Sequence, residues 1–514
     1  MRAFYIFATM LVLMTACTKV QPEDDFPPVQ PSGGKVYFSL AVKVPPLAEQ
    51  ASYDEYYMID IPFDKGDQMV VTGDGVRGTL SYDPFLIRPG TTGFSGFLYY
   101  EGSGKPSDDL VLEVRRINPS FSNDGNGLAG PAATQGLKEA VYRYGCSTGT
   151  CTYGNPVVEL SQETAFFSLY LNSRVAFPSG KGKKVTLTYG DTSYGPFDFD
   201  ITKEEALVLA FPAGTVLARP FLGLDGIATF PVIPVFVPES QDSPLLEGGV
   251  DYWNMYDLYD LSRENAYVTS MNVVIYQSEP QKPVAHVIST YGYTRNVTVS
   301  NINISSGNST PITFGESTLL WVDGDCRAVS TYGENPAISV SSPHSLRIRG
   351  DGTLYAESGG TVGGGAGIQF GGVERQCGDL VIEGSVSVEA KGADGASGIG
   401  MGMIPSYQTM EYYLGNIVIN TTGTVRATGG AGAAGIGSAR LPDRAVYVSF
   451  GKISVSGGVV DATSGSDYVP DIGVCEGVDI RGGVSVDAGV THDGVHGYHV
   501  ARTEGDVAAG YKKD

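Results

Sequence analysis

Five segments of this 514-residue chain repeat one short pattern, and that repeat limits the fold more tightly than any single motif. Leu346-Arg347-Ile348-Arg349-Gly350 returns as Leu380-Val381-Ile382-Glu383-Gly384, Ile417-Val418-Ile419-Asn420, Ile453-Ser454-Val455-Ser456-Gly457 and Val478-Asp479-Ile480-Arg481-Gly482. The starts lie 34, 37, 36 and 25 residues apart. Each is followed by a second alternating stretch, such as Val386-Ser387-Val388-Glu389-Ala390 or Thr424-Val425-Arg426-Ala427, and then by Gly-rich turns carrying Ser397-Gly398-Ile399-Gly400 or Ala434-Gly435-Ile436-Gly437. Short strands of period two, joined by turns that need glycine, predict a right-handed parallel β-helix over 291–490. Less regular strands at Val297–Ile304, Leu319–Val322 and Ile338–Val340 read as earlier coils. Residues 491–514 then form a cap or tail.

Composition places a boundary upstream of these coils. Residues 345–490 hold 33 Gly and 3 Pro, whereas the other 368 residues hold 36 Gly and 26 Pro. The N-terminal part alternates in short runs, Lys35 to Val44, Phe94 to Tyr100, Leu110 to Val114, Val157 to Leu171 and Lys184 to Tyr189, which predicts β-sandwich lobes at 33–160 and 161–245. Thr202 to Leu209 alone has a helical start. The fold class is all-β.

Charge and the first residues bear on compartment and partners. The chain carries a net charge of -22, or -23 without Arg2, and such a surface repels phosphate backbones, so no nucleic-acid partner is expected. Arg2, the apolar run Phe4 to Met14 and the small residues before Cys17 form a signal peptide over 1–16. Its apolar run is too short to span a bilayer. Met14-Thr15-Ala16-Cys17 resembles the bacterial lipobox, which implies lipidation of Cys17 and membrane contact only through that anchor. Residues 17–32 read as a solvated tether. The acidic Glu23-Asp24-Asp25 run within it resembles a surface-export signal, which implies the outer membrane and cell surface.

Further motifs within residues 33–245 carry a second resemblance. The Asp64-Lys65-Gly66-Asp67 step into Met69-Val70-Val71, the strand Gly93-Phe94-Ser95-Gly96-Phe97, and Tyr142 to Cys151 leading into Val157-Val158-Glu159-Leu160 resemble the fimbrillin family of surface lipoproteins. The resemblance implies pilus-like assembly with other subunits by β-strand addition. A chain whose C-terminus carries another domain fits a tip or accessory position better than a shaft position.

Several residues are candidates for chemistry. Cys146 and Cys151 enclose a four-residue loop that a disulfide could close, against two free thiols. The junction at 246–290 concentrates Tyr252, Trp253, Tyr256 and Tyr259 beside Asp251, Asp257 and Asp260, which reads either as a sugar-stacking platform or as an aromatic plug between domains. Asp323 and Asp325 flank Gly324 as a candidate Ca²⁺ pair or a solvated turn, and no other cofactor is expected. His492, His496 and His499 offer a metal-binding reading or a frayed chain end. No catalytic residues are assigned, because no carboxylate pair recurs at one height of the repeats.

The Gly-Ile-Gly coils also resemble repeats of carbohydrate-binding surface proteins. The function expected is a lipid-anchored adhesin or pilus-associated subunit, not an enzyme, that binds glycan or a host or bacterial surface protein through its coils. The alternative is a polysaccharide lyase or glycoside hydrolase working in the groove.

Overall fold

A computed structural model describes residues 35–514 apart from 44–46, 52–54, 60–62, 64, 85–92, 103, 174–183, 201–204, 217–219, 233–248, 360–363, 374, 376, 405–410, 442–446, 493–495 and 501–509. The described chain is nearly all strand, as its alternating sequence predicts. Leu137–Tyr144 is the one α-helix among the described residues. The helical reading of Thr202 to Leu209 is corrected: Leu207–Pro212 is a strand with five consecutive buried residues, and 201–204 lie outside the described residues. A polar Thr-Lys-Glu-Glu start has no weight against a following apolar run that is buried on both sides.

Contacts divide the chain into two units. One comprises residues 1–168, 208–216 and 245–253, and the other 169–207, 217–244 and 254–514. In the first, Lys35–Phe38, Phe94–Glu101, Val76–Tyr82, Gln68–Gly73, Val111–Ile117, Ser147–Thr152 and Ser161–Gln162 lie side by side in that order, antiparallel throughout. Met69, Val71, Leu98, Leu112 and Val114 form its core, joined by Val42 and Val158 from a separate parallel pair. One ion pair is sealed inside. Arg116 donates to Asp67 through Nε at 2.8 Å and Nη2 at 2.9 Å, with both side chains buried and Phe63 over the guanidinium at 5.0 Å. The Gly-Asp step singled out in the sequence therefore serves to place a buried charge.

In the second unit the chain visits three parallel sheets in rotation. Thr318–Asp323 lies on the first, Asp325–Ser330 on the second and Ile338–Val340 on the third, before Leu346–Gly350 returns to the first. Parallel pairing begins at Tyr256, inside the stretch read as a junction, and runs to Val486. Like residues stack on like. Ile288, Ile312, Ile338, Ile368, Ile399, Ile436 and Ile472 form one continuous buried column on the third sheet. Ala328, Ala356, Ala390, Ala427 and Ala462 form another on the second. The recurring Gly-Ile-Gly has its reason here: Gly400, Gly437 and Gly473 hold φ of +134°, +134° and +149°, and a Cβ on Gly437 would lie 1.8 Å from Gly473 O.

One repeat assignment is corrected. Val478–Ile480 does not continue the first sheet; it pairs with Val448–Phe450, which pairs in turn with Tyr412–Tyr413, as a small side sheet. The true successor of Ile453–Val455 is Val484–Val486. The 25-residue spacing marked the error, being too short for a whole coil.

The far end of the coils is closed by the chain's own C-terminus. Gly510–Lys513 runs antiparallel along Ile472–Gly473, where every other pairing on that sheet from Ala266 to Gly473 is parallel. Lys512 and Lys513 reach Asp471 and Asp461, and Tyr498 Oη donates to Val460 O at 2.6 Å while accepting from Ala462 N at 3.0 Å. The Tyr498 hydroxyl thus takes the place of the next rung.

Candidate functional site

Several side chains singled out in the sequence prove to be structural. Tyr256 and Tyr259 are 2% exposed. Tyr256 packs on Phe230 at 5.1 Å and reaches Pro231 O, and Tyr259 lies in the core of the coils, so the sugar-stacking reading is corrected for both. Tyr252 and Trp253 belong to the strand Gly249–Asp260, but their side chains lie outside the described residues.

Asp323 and Asp325 end one sheet and begin the next, so the bend at Gly324 separates them. Asp323 Oδ2 accepts Thr229 N at 2.9 Å and Ser300 Oγ at 2.7 Å, and Asp325 is exposed. Asp323 fastens the antiparallel sheet containing Phe221–Leu224 and Ala228–Pro231 to the coils, beside the Phe221–Trp321 ring contact at 5.0 Å.

The disulfide reading of Cys146 and Cys151 is corrected as well. Both thiols are free. Cys151 lies in the extended strand Ser147–Thr152, which puts it about 16 Å along the chain from Cys146, beyond disulfide reach. Cys146 instead donates to Gly125 O at 3.2 Å, and burial raises its pKa. His499 turns to Asp514 at 3.1 Å, while His492 and His496 stack at 5.5 Å. Among the described residues no group of three His, Cys, Asp or Glu is arranged to hold a metal ion. Cys17 lies outside the described residues.

The outward faces of the coils differ. On the second sheet Arg327 covers the Tyr355 ring at 3.9 Å, and Glu357 lies between Arg327 at 3.5 Å and Lys391 at 3.1 Å. On the first, Glu383 accepts from Arg349 at 2.6 Å and lies 3.3 Å from Arg347. These side chains are spent on one another.

The side sheet differs. Its register sets Tyr413, Ser449 and Asp479 side by side on three successive rungs, spanning about 10 Å. Two open depressions lie along it. The first, about 450 Å³, is lined by Arg375, Glu411, Tyr413, Tyr447, Ser449 and Arg481. The second, about 470 Å³, shares Arg375 and Arg481 and is floored by Gly415, Gly451 and Gly482, where any side chain would meet the neighbouring rung. Tyr447 is 49% exposed, donates to Asp479 Oδ2 at 2.9 Å and meets the Tyr413 ring edge-on at 6.1 Å. Tyr413 Oη donates to Glu411, and Arg375 Nη2 lies 3.3 Å from the same carboxylate. The Tyr413 hydrogen bond, with the Arg375 charge, keeps the Glu411 carboxyl below its ordinary pKa and therefore ionised.

None of these residues was read in the sequence as part of a site, and Asp479, Arg481 and Gly482 entered only as repeat positions. The available signal was compositional: tyrosines at 407, 412, 413 and 447 interrupt a Gly- and Ala-rich region, within the two longest repeat intervals. Two strands of the side sheet, Tyr412–Tyr413 and Val448–Phe450, fall in those intervals, and Val478–Ile480 in the next.

Among the described residues no helix is long and apolar enough to cross a membrane. No protein-family model and no curated protein matches this chain. Among solved structures, a chain described as a putative cell adhesion protein from Bacteroides ovatus ATCC 8483 is similar over 43% of this chain and 92% of its own, at 9% identity and a TM-score of 0.23. Another so described, from Bacteroides fragilis NCTC 9343, is similar over 42% of this chain and 91% of its own, at 10% identity and a TM-score of 0.17. Likenesses this distant leave function to be read from the geometry of the coils.

Proposed function

We propose that this chain is a lipid-anchored adhesin of the outer cell surface, whose C-terminal coils form a right-handed parallel β-helix that presents a binding face to glycan or protein. The signal segment, Cys17 and the acidic tether support the placement. A fimbrillin-like N-terminal part would suit a tip or accessory position in a surface fibre. The observation that carries the reading is the open trough on the side sheet. It gathers an exposed aromatic ring, two guanidiniums and carboxylates over three rungs, a shape that suits an extended ligand.

The runner-up would need a proton donor in the same trough for a hydrolase, or a free base for a polysaccharide lyase. Glu411 is held by Tyr413 and Arg375, which leaves it a poor proton donor and an encumbered base and favours binding over turnover. The test presents the full chain to plant, host and microbial glycans, with Ca²⁺ and with chelator, and follows both retention and released sugar. Retention without product, unaffected by chelator, is expected. Unsaturated or shortened sugars would replace the adhesin reading with an enzyme.

A further inference from the structure

One polar atom in the trough has no partner. Ser449 is 1% exposed, and its Oγ makes no hydrogen bond, although it sits between Tyr413 and Asp479 in the outward column. A buried hydroxyl left unpaired is costly, and native structures keep few of them. The rest of the column is well bonded: Tyr413 to Glu411, and Tyr447 to Asp479. The unpaired hydroxyl belongs to a residue that lines the first depression together with Tyr413 and Tyr447.

Each of the other lining groups suits a polyhydroxyl ligand. Tyr447 offers an aromatic ring to an apolar sugar face. Glu411 and Asp479 accept from hydroxyls, and Arg375 and Arg481 donate to them. Gly415, Gly451 and Gly482 line the second depression with backbone alone.

Charge narrows the class further. The two guanidiniums are balanced by two lining carboxylates, Asp379 and Glu411, with Asp479 adjacent through Tyr447, on a chain of net charge -22. The site holds no excess of positive charge for a carboxylate of the ligand to neutralise.

We propose that the trough binds a neutral glycan lying across the three rungs, with a sugar ring stacked on Tyr447, a ligand hydroxyl paired to Ser449 Oγ, and others shared among Glu411, Asp479 and the guanidiniums of Arg375 and Arg481. The inference rests on the coils being the binding element and names the site and the ligand class. The column spans about 10 Å, enough for a disaccharide stretch of chain.

The test titrates the full chain by calorimetry with neutral gluco-, manno-, galacto- and xylo-oligosaccharides, and with polygalacturonate as the acidic contrast. At least one neutral series is expected to bind, and more tightly than polygalacturonate. Tyr447→Ala should weaken that binding about tenfold and leave Tm unchanged, because the ring is half exposed. Ser449→Ala should weaken binding about three- to tenfold while holding or raising Tm, since it deletes an unpaired buried hydroxyl. A purely structural serine would lower Tm and leave affinity alone.

Tighter binding of polygalacturonate overturns the neutral class. Neutral binding that Tyr447→Ala and Arg481→Gln both leave intact places the ligand on another face. Silence on every sugar overturns the inference, and if the chain still adheres to cells or surface proteins the adhesin reading survives it.

Discussion

In the N-terminal sheet each decisive contact is made once, between residues far apart in the chain. Arg116 reaches Asp67 across 49 positions, and no second pair repeats the arrangement among the described residues of that sheet. In the coils the decisive contact is made again on each rung, between residues one coil apart, so Ile399 meets Ile436 and Ile436 meets Ile472. The first region relies on a single buried pairing to fix its register. The second distributes the task over columns of like side chains, which frees the outward positions to vary, and a trough can be built beside the stack without disturbing it.

The largest effect should come from the unique contact. Asp67→Ala leaves the Arg116 charge buried without its partner and is expected to lower unfolding free energy by about 3–5 kcal/mol in denaturant titration. A loss below about 1 kcal/mol would show that the register of that sheet does not depend on the pair. In the coils, Ile436→Ala should cost about 2–5 kcal/mol, and Ile312→Ala, four rungs earlier in the same column, should cost a similar amount. Unequal losses would break the claim that rungs share the load evenly.

The end of the stack is held by fewer groups. Tyr498→Phe removes the hydroxyl bonded to Val460 O and Ala462 N and should cost about 1–3 kcal/mol, with faster amide exchange at Ala462. Unchanged exchange there would show that the terminal rung does not rely on Tyr498.

The last effect is absent at neutral pH and is confined to alkaline pH. Burial pushes the Cys326 thiol from 9.0 up to about 12, so the folded state favours the protonated form. Its contribution is fully present below pH 9 and is lost as pH rises from 9 to 12, at up to about 1.4 kcal/mol per pH unit. Comparing Cys326→Ala with the parent across that range isolates this share. An equal decline in both would exclude the thiol as its source.

Much of the coil architecture was legible because its constraint is local and repeated. The strands starting at Leu346, Leu380, Ile417 and Ile453 fall where the apolar alternation placed them. Val478–Ile480 deceived because a side-sheet strand alternates just as a main-sheet strand does, and only pairing distinguishes them. Tyr256 and Tyr259 looked like a platform because sequence shows aromatic density but not which way each ring faces. The trough was hidden for a related reason: Arg375, Tyr413, Ser449 and Arg481 come together only through a register set one coil at a time.

Hydrogen exchange of the full chain, with and without the neutral oligosaccharide that binds best, tests the central claim most directly. Binding in the trough should slow exchange together in three separated segments, 411–414, 447–451 and 479–482, with little change on the second sheet. Protection confined to one of them, or centred on Arg327, Tyr355 and Glu357 of the second sheet, would contradict the account.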